Sequence, residues 1–181
     1  STGIVSVVPS SNIMSDKYAV SALTEGITIL NQSLAAAGIR LVYVINAPGQ
    51  VKAFISIDPA DAVFASGQAG AATYNTEVNN VITQSKIVIL NIDFARTPIV
   101  YFHELTHTFG LYHSKHPGPM MVGPELYEFK DFVELDRIYM KLIRTRQPGT
   151  RLTVTTATEN DRTALSASGI SLSRVEVIVC P

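Results

Sequence analysis

A single cysteine, Cys180, leaves this chain without a partner for an internal disulfide, so cysteine usage does not settle its redox compartment. Charge is scarce as well: 16% of residues are charged and the net charge is −1, which argues against a nucleic-acid or anionic-membrane partner. No run approaches twenty apolar residues, so no helical membrane span is expected. The opening Ser1-Thr2-Gly3 carries neither a signal peptide nor a basic targeting run, which is compatible with a processed mature chain. Residues 1–102 contain no histidine. Against these absences, 181 residues with 46% hydrophobic content suit one domain with a sizeable core.

The histidines that do occur are concentrated. All four lie between His103 and His116, in a run that reads H-E-x-x-H-x-x-G-x-x-H from His103 to His113. On a helix, residues four apart sit about 40° apart around the axis and roughly 6 Å along it, so His103 and His107 share a face. Two imidazoles so placed can meet one zinc ion. Glu104 is offset by about 100°, beside the metal, where a general base must be to take a proton from activated water. Gly110 tolerates the left-handed turn that ends the helix, and His113 can then swing back as a third ligand. Three protein ligands leave an open fourth position, which marks a catalytic site and not a closed structural one. Five fixed positions should coincide by chance on the order of once in ten million starting points.

With those residues the chain resembles the metzincin zinc endopeptidases. The resemblance implies a methionine in a tight turn beneath the metal, and Met121 lies eight residues after His113. The segment from His113 to Met121 is similar to the matrixin pattern H-S-x-D-P-x-A-L-M, with Ser114, Pro117 and Met121 in register. Met120 is the rival for the turn, but the matrixin spacing favours Met121. His116 replaces the matrixin aspartate, and Gly123 stands where the astacin branch has a tyrosine ligand. The matrixins' second, structural zinc needs upstream histidines and is not expected. The 58–80 region lacks the dense Asp/Gly pattern of calcium loops, which argues against structural calcium. No cysteine-switch propeptide is read in these residues, so they do not indicate a mode of latency. The resemblance is specific over 86–122, follows element order over 1–145, and is absent beyond.

The remaining pattern predicts an α+β fold: a mixed, twisted sheet of about five strands with an active-site helix, a methionine turn and a C-terminal helix. Residues 4–8 read as a strand, followed by a loop at 9–12. Ser15 or Asp16 can cap a helix whose apolar positions Val20, Leu23, Ile27, Leu30 and Leu34 step by three and four, ending at Gly38. Strands are expected at 39–45 and Val51–Ile57, with a turn signal at Pro48-Gly49 between them. The 59–80 stretch reads as a loop plus a weak edge strand near 71–77, and 86–92 is the strongest strand candidate. Pro98 suits the start of the active-site helix, whose core contacts are Ile99, Val100, Phe102, Leu105, Phe109 and Leu111. Asp131 and Glu134 have capping-box spacing ahead of a helix carrying Phe132, Leu135, Ile138, Leu142 and Ile143. Residues 1–146 form the expected catalytic domain. Residues 147–181 form a small β-α-β extension packed on it, with strands at 151–156 and 172–179 flanking a helix at 158–168.

The function expected is zinc-dependent endopeptidase activity, with one catalytic Zn²⁺ on His103, His107 and His113 and Glu104 as general base. His116 is read as a rim histidine and Met121 as a packing residue, since thioether sulfur suits copper better than zinc. Tyr112, Tyr127 and Tyr139 are weighed as oxyanion stabilisers and read as core aromatics. Cys180 is read as a terminal thiol and not as a zinc-blocking thiolate. By family resemblance, residues 122–130 wall the pocket for the side chain after the scissile bond, and Val122, Leu126 and Phe129 suggest a hydrophobic preference. The expected partner is an extended protein or peptide substrate paired antiparallel to the 71–77 strand. A monomer and, by resemblance alone, a secreted location complete the expectation. The rival reading is a non-hydrolytic metal-binding or structural protein of the same fold, against which the intact Glu104 counts. A zinc hydrolase of non-peptide amides is a third reading.

Overall fold

The computed structural model describes residues 3–66, 70–78 and 81–111, together with two-residue strands at Arg151–Leu152 and Val177–Ile178. Their order is β1 (Gly3–Pro9), α1 (Ser11–Met14), α2 (Lys17–Ala36), β2 (Leu41–Ile45), β3 (Val51–Ile57), a 3₁₀ turn (Ala62–Ser66), β4 (Ala71–Val78), β5 (Val81–Ile89), α3 (Ile92–Ala95), α4 (Pro98–His107), β6 (Arg151–Leu152) and β7 (Val177–Ile178). This is the expected α+β class with a five-stranded mixed sheet, ordered β2-β1-β3-β5-β4. β4 alone runs antiparallel, and it lies at the edge.

Register decides which side chains meet the helices. Val5 pairs with Tyr43, Val7 with Ala53, Ile55 with Ile87, and Ile87 with Thr73. These residues therefore share one face of the sheet, together with Ser85 and Ile89 of β5 and Ala71 and Asn75 of β4. Leu23, Ile27, Leu30 and Leu34 of α2 and Val100, Phe102 and Leu105 of α4 join that face in one apolar core. On the opposite face, Asp61 accepts from the Tyr74 hydroxyl at 2.7 Å and from Lys86 Nζ at 3.0 Å, tying the turn after β3 to the β4–β5 pair.

α2 begins at Asp16, whose carboxylate accepts from the backbone N–H groups of Tyr18 and Ala19, the capping geometry that relieves unpaired donors in a first turn. Its buried stripe is Ala19, Ala22, Leu23, Gly26, Ile27, Leu30, Ser33 and Leu34. Small residues thus fill positions that the hydrophobic spacing assigned to Val20, which is only half-buried. Gly26 shows why. A Cβ there would lie 2.6 Å from the Pro98 carbonyl oxygen and 2.9 Å from Tyr101 Cβ, so its absence lets α2 and α4 touch backbone to backbone.

Some local boundaries differ from those expected. Residues 11 and 12, the end of the loop read at 9–12, open the short helix α1, whose Ile13 is fully buried and so repays the turn. A second short helix, α3, precedes α4 and is capped by Asn91, whose side chain accepts from Asp93 and Phe94 N–H. The strand 86–92 begins five residues earlier, at Val81, and stops at Ile89, where Asn91 starts that cap. Residues 46–50, which carry the Pro48-Gly49 turn signal, form the connection between β2 and β3. They carry the chain from β2 to β3 across β1, which both strands flank in parallel, with Asn46 in the left-handed region at φ 53°.

The strands expected at 151–156 and 172–179 are represented by β6 and β7, which pair antiparallel in a separate two-stranded sheet. The helices expected at 131–143 and 158–168 lie outside the described residues. Among the described residues, no helix is long and apolar enough to cross a membrane.

Candidate metal centre

α4 starts with Pro98 in its first turn, where a missing N–H costs nothing, and runs through Val100, Tyr101, Phe102, His103, Glu104, Leu105 and Thr106, all buried. Burial almost all round makes it a central helix and not a half-exposed one. Sequence spacing had passed over Tyr101, which is 0% exposed. The helix ends at His107. Gly110 follows at φ +94°, and its N–H reaches the His107 carbonyl at 2.9 Å, the left-handed termination expected of it.

One turn of this helix brings His103 and His107 together. Their Nε2 atoms lie 3.1 Å apart, with ring centroids at 4.7 Å and planes nearly perpendicular. Two nitrogens bound tetrahedrally to one zinc at about 2.0–2.1 Å each would be separated by about 3.3 Å, so the pair fits that ion with almost no rearrangement. His107 Nδ1 lies 2.7 Å from the Leu111 carbonyl oxygen. A carbonyl can only accept, so Nδ1 carries the proton, and in the neutral ring the lone pair of Nε2 faces His103. Sequence reading placed Leu111 in the core, where it is, but its backbone oxygen also sets this tautomer.

Glu104 sits beside the pair, 6% exposed. Ligand atoms of His103, Glu104 and His107 all fall within 4.8 Å of one another. Burial pushes the Glu104 carboxyl up to about 7, and a hydrogen bond from Thr73 opposes that rise. The Thr73 hydroxyl lies 2.6 Å from Glu104 Oε2 and 3.2 Å from the Glu104 backbone oxygen. Two positions further along β4, Asn75 Nδ2 donates to the His107 carbonyl at 3.0 Å, while Ser85 Oγ donates to Asn75 Oδ1 at 2.6 Å. On the other side, the Thr108 hydroxyl donates to the Leu105 carbonyl at 2.7 Å, which leaves Tyr43 to donate to Thr108 at 2.9 Å. Burial pushes the Tyr43 phenol up to about 12, so it stays a donor.

Thr73, Asn75, Ser85 and Tyr43 were not singled out by the sequence. The available signal was two polar residues two apart, Thr73 and Asn75, on one face of the strand, where Thr73 pairs with Ile87 and Asn75 with Ser85. His113, the expected third ligand, lies outside the described residues, as do Met120, Met121, His116, the pocket wall at 122–130, Tyr112, Tyr127, Tyr139 and Cys180.

No known family model matches the chain, and no curated protein matches it. Among solved structures it is similar to one described as "Structure of a chaperone-substrate complex", with 15% identity and a TM-score of 0.42, covering 72% of this chain and 32% of the other. That likeness is too slight to carry an argument about fold or function.

Proposed function

We propose that the chain is a zinc-dependent endopeptidase of metzincin type, hydrolysing peptide bonds with Glu104 as general base. The observation that carries this reading is the pair of imidazole nitrogens 3.1 Å apart on one helical turn, with a buried carboxylate at the intervening face. His103 and His107 would hold the metal, and His113 would complete the set after the Gly110 turn. When bound, zinc supplies Lewis acidity towards a carbonyl oxygen and brings the ionisation of water near neutrality. Glu104 accepts the proton of the attacking water and hands it to the leaving amine. The Leu111 carbonyl keeps the His107 ring in its ligating tautomer.

An extended peptide would add to the outer side of β4, antiparallel to it, with backbone hydrogen bonds supplying affinity. The support is topological. β4 pairs only with β5 among the described strands, whereas the opposite edge strand, β2, has Tyr43 N–H and C=O engaged by the Asn31 side chain at 2.8 and 2.9 Å. A secreted location belongs to the same proposal and rests on the family resemblance alone.

Cleavage of casein or a quenched peptide library, with and without a chelator, tests the reading. Glu104→Gln should retain zinc and lose about 10²–10⁴-fold in kcat. Equal activity in that variant removes Glu104 from its role, and zinc-loaded wild type that cleaves no peptide removes the protease reading.

A further inference from the structure

Thr73 occupies a position where an apolar residue would be the simpler choice. It lies on the helix side of β4, opposite Ile87, between Ala71, which pairs with Ile89, and Asn75, which pairs with Ser85; both isoleucines are fully buried. A hydroxyl turned into such surroundings needs a partner. The same region shows how a purely structural polar group behaves: Asn75 donates to the carbonyl at the end of α4, and Thr106 to the Phe102 carbonyl one turn back. Thr73 also has a helix carbonyl within reach, at 3.2 Å from Glu104 O, yet its shorter contact, 2.6 Å, is to the Glu104 carboxylate. That distance lies at the short end of the range of about 2.5–3.0 Å for a hydroxyl donating to oxygen.

We infer that Thr73 is a positioning residue for the general base, holding Oε2 of Glu104 so that the second oxygen is left for proton traffic. This rests on the protease reading. A glutamate side chain turns about several single bonds, and a base that must receive a proton from one direction and deliver it in another loses rate when it wanders. Tethering one oxygen from a neighbouring strand removes that freedom without occupying the other. Because the tether comes from β4, the strand proposed to receive the peptide also orients the group that cleaves it.

Thr73→Val keeps the branched shape and removes the hydroxyl, and Thr73→Ser restores it. With a quenched peptide substrate, Thr73→Val should lower kcat about 10–100-fold and change KM less than about threefold, the usual size of an outer-partner loss. Its zinc content, measured by elemental analysis, should equal that of the wild type, and its metal-free form should still melt cooperatively. Thr73→Ser should return kcat to within about threefold of wild type. Unchanged kcat in Thr73→Val overturns the inference, as does a serine variant as slow as the valine one. Loss of zinc from Thr73→Val also overturns it, making the contact a structural staple. A wild type that cleaves while Thr73→Val cleaves equally well defeats only the positioning role. A zinc-loaded wild type that cleaves nothing defeats the protease reading and this role with it.

Discussion

At the scale of single residues, the centre is defined by what each polar atom is obliged to do. Leu111 O can only accept, so His107 Nδ1 donates and Nε2 is left facing His103. Elsewhere, Asp16 caps α2 and pairs with Arg96 at 2.6 Å, tying the start of α2 to the end of α3. The Arg96 hydrogen bond, followed by that from Ala19 N–H, holds the Asp16 carboxyl down at about 2, from an ordinary 3.8. A depressed carboxyl stabilises the fold above its unfolded value, and that stability is lost as pH falls from 3.8 towards 2. Asn caps nearly as well as Asp but carries no charge. The melting temperature of Asp16→Asn should therefore lie below wild type by a constant gap above about pH 5, and the gap should close near pH 2. A gap independent of pH would mean that the Arg96 pair contributes nothing. The sequence marked Ser15 or Asp16 as the cap because capping is local; Arg96, eighty residues away, could not be read as the partner of Asp16.

At the scale of elements, the crossing of α2 and α4 sets where the histidines point. Gly26 is the contact point, and a methyl group there meets the Pro98 carbonyl, Tyr101 Cβ and the Phe102 N within 3.2 Å. Gly26→Ala raises helix propensity by up to about 1 kcal/mol. It should nevertheless destabilise the chain by about 1–3 kcal/mol in urea titration, because two packed helices must move apart. Affinity for the proposed zinc should fall with it, since α4 carries His103 and His107, two of the three proposed ligands. A more stable alanine variant would contradict the close approach. The hydrophobic spacing of α2 was legible, and so was the start of α4 at Pro98. The choice of Ala19, Ala22 and Gly26 over larger side chains was not, because it answers to the partner helix and not to the period of the pattern.

Over the whole molecule, the sheet has two unlike edges. β2 is blocked at Tyr43 by Asn31, and β4 is joined only on its inner side among the described strands. An edge that is not blocked is a template for another chain. If a peptide adds there, its amides alternate between facing β4 and facing away. Methylating alternate backbone amides of a good substrate should raise KM about five- to tenfold for each bond lost, while methylating the intervening ones should leave it nearly unchanged. Equal effects at every position would show that the substrate does not bind as a strand.

The histidine cluster, its helical spacing, the glycine that ends the helix and the α+β order of elements were all legible in the chain, because each depends on residues within a turn or two of one another. The tertiary structure decided the rest: that β4, already read as an edge strand, runs antiparallel to β5, that Thr73 and Asn75 reach across to Glu104 and His107, and that Glu104 is buried. Those facts follow from strand order and helix crossing, which arise from packing between segments distant in sequence and leave no local period to read.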